Sequence, residues 1–97
     1  MQVKPYWQNY INGTWVDGGA GRIEIFNPGT GEKLAEQASA DAADIDRAVM
    51  AARRVHLSGA LSDLRPVERG RMVQAMGRYL LDHIDEIAEL LTLEQGK

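Results

Sequence analysis

Tyr10-Ile11-Asn12-Gly13-Thr14-Trp15-Val16 decides how this chain begins. An Asn-Gly pair sits between residues that favour extended backbone. It readily supplies the two positive φ angles of a type I′ turn, so the stretch reads as a β-hairpin. Asp17-Gly18-Gly19-Ala20-Gly21 follows as a flexible turn. Arg22-Ile23-Glu24-Ile25-Phe26 then alternates polar and apolar, as a half-buried strand does. Asn27-Pro28-Gly29-Thr30-Gly31-Glu32 is dense in turn formers, and Lys33 to Ala38 reads as the partner strand. Two hairpins in succession are the economical reading of residues 1–38.

Residues 39–97 read as helix. Ser39 or Asp41 can cap a helix start, and Asp41, Asp44 and Asp46 favour the positive end of its dipole. Ile45, Ala48, Val49, Ala52 and Val55 recur at helical spacing as one apolar stripe, and Ser58-Gly59 ends the element. A second helix opens at Pro66, suited to the first helical position, and continues through Glu68 and the stripe Val73, Met76, Leu80. Gly70 and Gly77 inside it each cost about 1 kcal/mol relative to alanine, which points to close approach of another element. The segment His83 to Glu86 interrupts that helix, with Asp82 or His83 capping a third that runs to Glu94 along Ile84, Ile87, Ala88 and Leu91. The expected architecture is α+β: two hairpins, then two or three amphipathic helices. A small antiparallel sheet and bare helix stripes are expected to be the opening of a larger domain, so residues 1–97 read as one partial domain.

Composition narrows the functions available. The 97 residues hold 44% apolar and 26% charged residues, with a mean hydropathy of -0.33, a globular profile. No apolar run approaches the roughly 18 residues of a membrane helix, and Met1 to Trp7 has no signal-peptide core, so a cytoplasmic protein without membrane association is expected. Net charge is -3, which argues against a dedicated nucleic-acid binder. Six arginines between 53 and 78 oppose the acids Asp82, Asp85, Glu86, Glu89 and Glu94, and the two faces are expected to pair with each other.

The residues of catalysis are sparse. There is no cysteine, which removes disulfides, thiolate metal sites and a cysteine nucleophile from these residues. Ser39, Ser58 and Ser62 stand outside any Gly-x-Ser-x-Gly turn, and His56 and His83 have neither metal-ligand spacing nor a serine in a recognisable arrangement. Gly18 to Gly21 and Gly29-Thr30-Gly31 fit no phosphate-binding fingerprint and read as hairpin turns. Trp7, Trp15, Tyr6 and Tyr10 read as packing residues, because a stacking platform comes with a basic groove.

The order of motifs nevertheless resembles one family. Tyr10 to Val16, Phe26-Asn27-Pro28-Gly29-Thr30-Gly31-Glu32, Ala43 to Arg53, Glu68-Arg69-Gly70-Arg71 and Leu90-Leu91-Thr92-Leu93-Glu94-Gln95-Gly96-Lys97 look like the start of an NAD(P)-dependent aldehyde dehydrogenase. The usual forms are Y-I-N-G-x-W, N-P-x-T-G-E, D-V-x-x-A-V-x-A-A-R, x-E-R-x-x-L and L-x-T-L-E-x-G-K, in that order. The resemblance covers residues 8 to 97. Leu61 stands where many members carry tryptophan, and Gln95 where threonine is frequent.

The resemblance implies a parent enzyme that oxidises an aldehyde through a cysteine thiohemiacetal, passes hydride to NAD or NADP, and releases the acid after a glutamate-activated water attacks the thioester. The motifs bearing that cysteine and glutamate, the oxyanion asparagine and the cofactor-binding lysine are absent here. Residues 1–97 are therefore expected to be the N-terminal portion of the enzyme's NAD-binding region, with no catalytic or cofactor-binding residue and no cofactor bound by this chain alone. By position, the backbone carbonyls of Ile25 and Phe26 would fall at a structural potassium site of some members. The expected partners are the remainder of the dehydrogenase chain and further copies, meeting the exposed apolar helix faces. The alternative is a free-standing interaction module, or truncated gene product, that reuses the scaffold without catalysis.

Overall fold

A computed structural model describes residues 1–97. Five strands come first: β1 (Tyr6–Trp7), β2 (Asn9–Ile11), β3 (Thr14–Val16), β4 (Arg22–Phe26) and β5 (Lys33–Ala38). Three helices follow, α1 (Ala42–Ser58), α2 (Pro66–Asp82) and α3 (Ile84–Gln95).

The Asn-Gly turn forms as its chemistry dictates. Asn12 and Gly13 take φ of 52° and 76°, and β2 and β3 pair antiparallel with Tyr10 opposite Trp15. The second hairpin, β4 with β5, closes through a turn in which the Asn27 amide donates to the Glu32 carbonyl at 2.9 Å. The Asn27 side chain accepts the Gly29 amide at 2.8 Å. The pairing slips between Ile25 and Phe26, a bulge that bends β4 at its end.

One element departs from the two-hairpin expectation. β1 joins the far edge of β5 in parallel, placing Tyr6 opposite Glu36 and Trp7 opposite Gln37 in a sheet ordered β1-β5-β4. Side chains secure this short strand. The Tyr6 hydroxyl donates to Asp17 at 2.8 Å, and the Arg22 guanidinium lies 3.7 Å over the Tyr6 ring while donating to Glu36 at 3.0 Å. Lys33 donates to the other oxygen of Glu36 at 2.6 Å, so β1, β4 and β5 share one band of polar contacts.

Local chemistry also sets the helix ends. Asp41 caps α1, accepting the Asp44 amide at 2.8 Å, while the Asp44 carboxylate accepts the Asp41 amide at 2.9 Å in a reciprocal capping box. Gly59 ends α1 at φ 77°, where a Cβ would be strained. Pro66 opens α2 and His83 separates it from α3, which runs one residue past Glu94 to Gln95.

Little of this is buried. Ala35, Ala38 and Asp44 are the only fully buried residues. Of the α1 stripe, Ala48 turns toward the strands together with Asp44 and Ala51, whereas Ile45, Val49 and Val55 stand at 55%, 59% and 45% exposure. A Cβ at Gly70 or Gly77 would meet nothing within 4 Å, so the close approach expected there is absent inside this chain. The expected pairing of opposite charges is also not realised. No arginine of α1 or α2 forms an ion pair with an acid of α3, because α2 and α3 meet only near their junction; Glu89 instead pairs with the Met1 ammonium at 3.1 Å.

The chain measures 49 × 34 × 17 Å, with a radius of gyration of 17.0 Å against about 12.5 Å for a compact chain of this length. Its accessible surface is 7548 Å², roughly 2,000 Å² above that of a compact protein of the same mass.

Candidate functional site

The tightest polar arrangement joins the glycine turn to the start of α1. The Gly19 amide donates to the Asp44 carboxylate at 2.7 Å, and the Asp41 amide donates to the same oxygen at 2.9 Å. Arg47, one turn along, donates to the other oxygen. These donors, the Gly19 amide foremost, hold the Asp44 carboxyl below the ordinary aspartate range. Glycine is required at Gly18 because a Cβ would stand 2.0 Å from the Ser39 carbonyl oxygen, a backbone atom; at Gly19 it would stand 1.9 Å from the Asp41 carboxylate, which would have to turn from its capping position.

This junction does not fit a nucleotide phosphate. A phosphate cradle needs free amides at a helix N-terminus and a positive field. Here the Gly19 amide is already engaged by Asp44, and Asp41 and Asp44 place two carboxylates at the helix end. The other helix starts are similar. Glu68 accepts the Arg65 amide at 3.1 Å at the start of α2, and Asp85 and Glu86 occupy the first turn of α3. The Gly29 amide is held by Asn27. Each of these amides is already engaged within the chain.

Ser58 and His83 are engaged in local structure. Ser58 donates to the Val55 carbonyl at 2.7 Å and accepts the Ala60 amide at 3.2 Å, finishing α1. His83 bonds through Nδ1 to the Tyr79 carbonyl at 2.9 Å and stacks on the Tyr79 ring at 4.2 Å, so it serves the α2–α3 junction. Ile25 and Phe26 sit side by side at the bulge ending β4, a place where ladder bonding is interrupted. No group of three or more His, Cys, Asp or Glu residues is placed to hold a metal ion.

Sequence reasoning missed two anchors. Asp44 is more than the dipole partner its position suggests: its carboxylate is the one buried polar side chain, and the spacing Asp41-x-x-Asp44 carries the signal of a capping box. Arg69 folds back so that its guanidinium donates to the carbonyls of Leu61, Ser62 and Leu64, fastening the α1–α2 connection. Glu68 and Arg69 thus explain their adjacent motif: one closes the cap of α2, the other ties down the loop before it.

The profile of the aldehyde dehydrogenase family matches residues 15–97. The chain belongs to the aldehyde dehydrogenase family. Malonate-semialdehyde dehydrogenase 1 of Oceanobacillus iheyensis is 41% identical over 93 residues, covering 95% of this chain and 19% of that protein. A malonate-semialdehyde dehydrogenase of Listeria monocytogenes is 35% identical over 91 residues, covering 93% of this chain and 18% of its own length. Among solved structures, an NAD-dependent aldehyde dehydrogenase from Sinorhizobium meliloti superposes with a TM-score of 0.90 at 31% identity, over 99% of this chain and 20% of that one. Betaine aldehyde dehydrogenase from Staphylococcus aureus, solved with NAD+, gives 0.89 at 33% identity, over 93% and 18%. The chain therefore spans about a fifth of the aldehyde dehydrogenases it matches, and its α+β arrangement is that of the N-terminal part of their fold. No helix is long and apolar enough to cross a membrane.

Proposed function

We propose that these 97 residues are an N-terminal scaffold segment of an NAD(P)-dependent aldehyde dehydrogenase and perform no step of its reaction. In that reaction an aldehyde, NAD(P)+ and water give a carboxylic acid and NAD(P)H. The observation that carries the reading is a family match over nearly the whole chain in a sequence without a cysteine, the residue type on which the family's covalent step depends. The engaged glycine amides and the acids at the helix starts support it, because they leave the dinucleotide to other parts of the enzyme. Aldehyde choice likewise rests outside this segment, since relatives bearing the same segment are named for malonate semialdehyde and for betaine aldehyde.

The segment's contribution is mechanical. Residues 1–38 supply hairpins and residues 39–97 helices, a partial domain beside the nucleotide-binding region, with the remainder of the polypeptide as its partner. The whole enzyme is assigned to the cytoplasm as a homo-oligomer whose contacts use apolar helix faces. The carbonyls of Ile25 and Phe26, at the bulge, are proposed as two oxygens of a structural potassium site completed by donors from the rest of the enzyme. The test of the central reading is direct. The purified chain, mixed with short aliphatic aldehydes and NAD+ or NADP+, is expected to give no NADH or NADPH absorbance; aldehyde-dependent reduction of either cofactor refutes it.

A further inference from the structure

The turn between β2 and β3 carries chemistry that a scaffold does not use. Asparagine is thermolabile because the backbone nitrogen of the next residue can attack its side-chain carbonyl. The chain has three asparagines, and the structure separates them. Asn27 precedes Pro28, which has no N–H to lose, and its carboxamide oxygen is held by the Gly29 amide at 2.8 Å. Asn9 lies in β2 opposite Val16, with the bulky Tyr10 after it. Asn12 is followed by Gly13, and both are exposed. Neither the Asn12 carboxamide nor the Gly13 amide is hydrogen-bonded within the chain, and a Cβ at Gly13 would meet nothing within 4 Å. The attacking nitrogen there is unhindered, unengaged and open to water.

Asp17-Gly18 is the other aspartate or asparagine that stands before a glycine, and it is guarded. The Tyr6 hydroxyl and the Gln8 amide donate to Asp17 at 2.8 Å and 3.1 Å and hold its carboxyl below the ordinary aspartate range. An ionised carboxylate is a poor target for a nucleophile, and Gly18 is fixed against the Ser39 backbone. The β2–β3 hairpin has no such restraint. It forms a two-stranded sheet of its own, three residues to a strand, with Tyr10 against Trp15 at 4.9 Å as its cross-strand contact. Such a hairpin is marginal in water, so the backbone rotation that brings the Gly13 nitrogen to the Asn12 side chain is reached often.

We propose that Asn12-Gly13 is a site of spontaneous deamidation, with water as the only co-reactant. Solvent base removes the Gly13 amide proton, and the nitrogen forms a bond to Asn12 Cγ. The Cγ–Nδ2 bond breaks, and the departing NH2 group takes a proton from solvent and leaves as ammonia. Water then opens the cyclic imide at Cγ, giving aspartate, or at the main-chain carbonyl carbon of residue 12, giving isoaspartate. Nothing is oxidised or reduced. Either product adds one negative charge to the formal -3 of the chain. Isoaspartate also inserts a methylene into the backbone of a two-residue turn, which disturbs the register of Tyr10 opposite Trp15.

The test ages the chain in mildly alkaline buffer, folded and in concentrated urea, and follows it by peptide mapping. The mass gain of an oxygen in place of NH is expected at Asn12, at least about tenfold ahead of Asn9 and Asn27, with the folded chain within about tenfold of the urea rate. Isoaspartyl methyltransferase with a labelled methyl donor counts the isoaspartate. Asn12→Gln, whose longer side chain would have to close a six-membered ring, is expected to lose that label. Conversion of Asn9 or Asn27 at a comparable rate, a folded chain slower than that tenfold limit, or label that persists in Asn12→Gln each overturns the site. Anion exchange separates the products by their added charge, and hydrogen exchange over residues 9–16 reads the hairpin. Exchange about tenfold faster in the isoaspartate fraction is expected; exchange equal to that of the parent chain overturns the effect on register.

Discussion

Gly18→Ala puts the loop–helix junction to a quantitative test. The added Cβ would stand 2.0 Å from the Ser39 carbonyl oxygen, 2.5 Å from its carbon and 2.7 Å from its nitrogen, all backbone atoms that cannot rotate away. Restoring ordinary contact requires a relative shift of more than 1 Å between the glycine turn and the end of β5. Two backbone bonds span that gap, from the Ala20 amide to the Ser39 carbonyl at 3.0 Å and from the Ser39 amide to the Gly21 carbonyl at 2.9 Å, and such a shift stretches both beyond useful range. Losing two bonds costs about 2 kcal/mol, and residual strain adds about 1 kcal/mol. A local cost of about 3 kcal/mol corresponds to somewhat over a hundredfold faster exchange of the Ala20 and Ser39 amides. Hydrogen exchange read by mass spectrometry on the peptides covering residues 17–22 and 37–42 measures it. Exchange within about threefold of the parent chain would show that the turn moves freely against β5, contrary to the steric argument.

Three further outcomes follow from other contacts. The Asp44 carboxylate has its folded pKa held below the ordinary aspartate range, so its contribution is present above that range and is lost as pH falls through and below it. Asp44→Asn should lower helicity near neutrality and flatten the acid limb of a circular-dichroism pH titration; an unchanged acid limb counts against the carboxylate's role. Arg69→Met removes the donor shared by three loop carbonyls and should cost about 2 kcal/mol locally, seen as faster limited proteolysis between Gly59 and Leu64, with wild-type cleavage rates as the contrary result. Gly70→Ala meets no atom within 4 Å and should stabilise α2 by about 1 kcal/mol in the isolated chain, detected as increased helicity; lower helicity would reveal a contact at that position.

What could be read from the residues depended on how local the determining chemistry was. Asn12-Gly13, the Asp41 cap, Pro66 and Gly59 act within four residues, and each marks an element end in the structure. β1 was not legible. Two residues have no periodicity, and their pairing with Glu36 and Gln37 joins positions far apart in the chain. The stripe on α1 was visible, but which side of it met the strands was not, because small residues and a carboxylate made the contact in place of the large apolar groups. Charge balance misled for a related reason: opposite signs along the sequence pair only if their helices run side by side, and α2 and α3 meet only near their junction. At the candidate site, the carbonyls of Ile25 and Phe26 were nameable only through the family resemblance, since backbone oxygens leave no mark in residue type. Arg69, which binds carbonyls as well, stood in a motif whose purpose became plain once the loop it fastens was seen.

The parallel seat of β1 on β5 orders events on the ribosome. β1 is made about thirty residues before the strand that receives it, a wait of roughly 1.5 to 6 s at ordinary elongation rates. During that interval the β2–β3 hairpin can close in microseconds from its own turn, whereas Tyr6 and Trp7 remain unpaired. β1 thus waits on β5 before it can be sewn into its sheet, and a slow codon placed far enough beyond residue 38 for β5 to have cleared the tunnel would give that stitch time to close before the helices emerge.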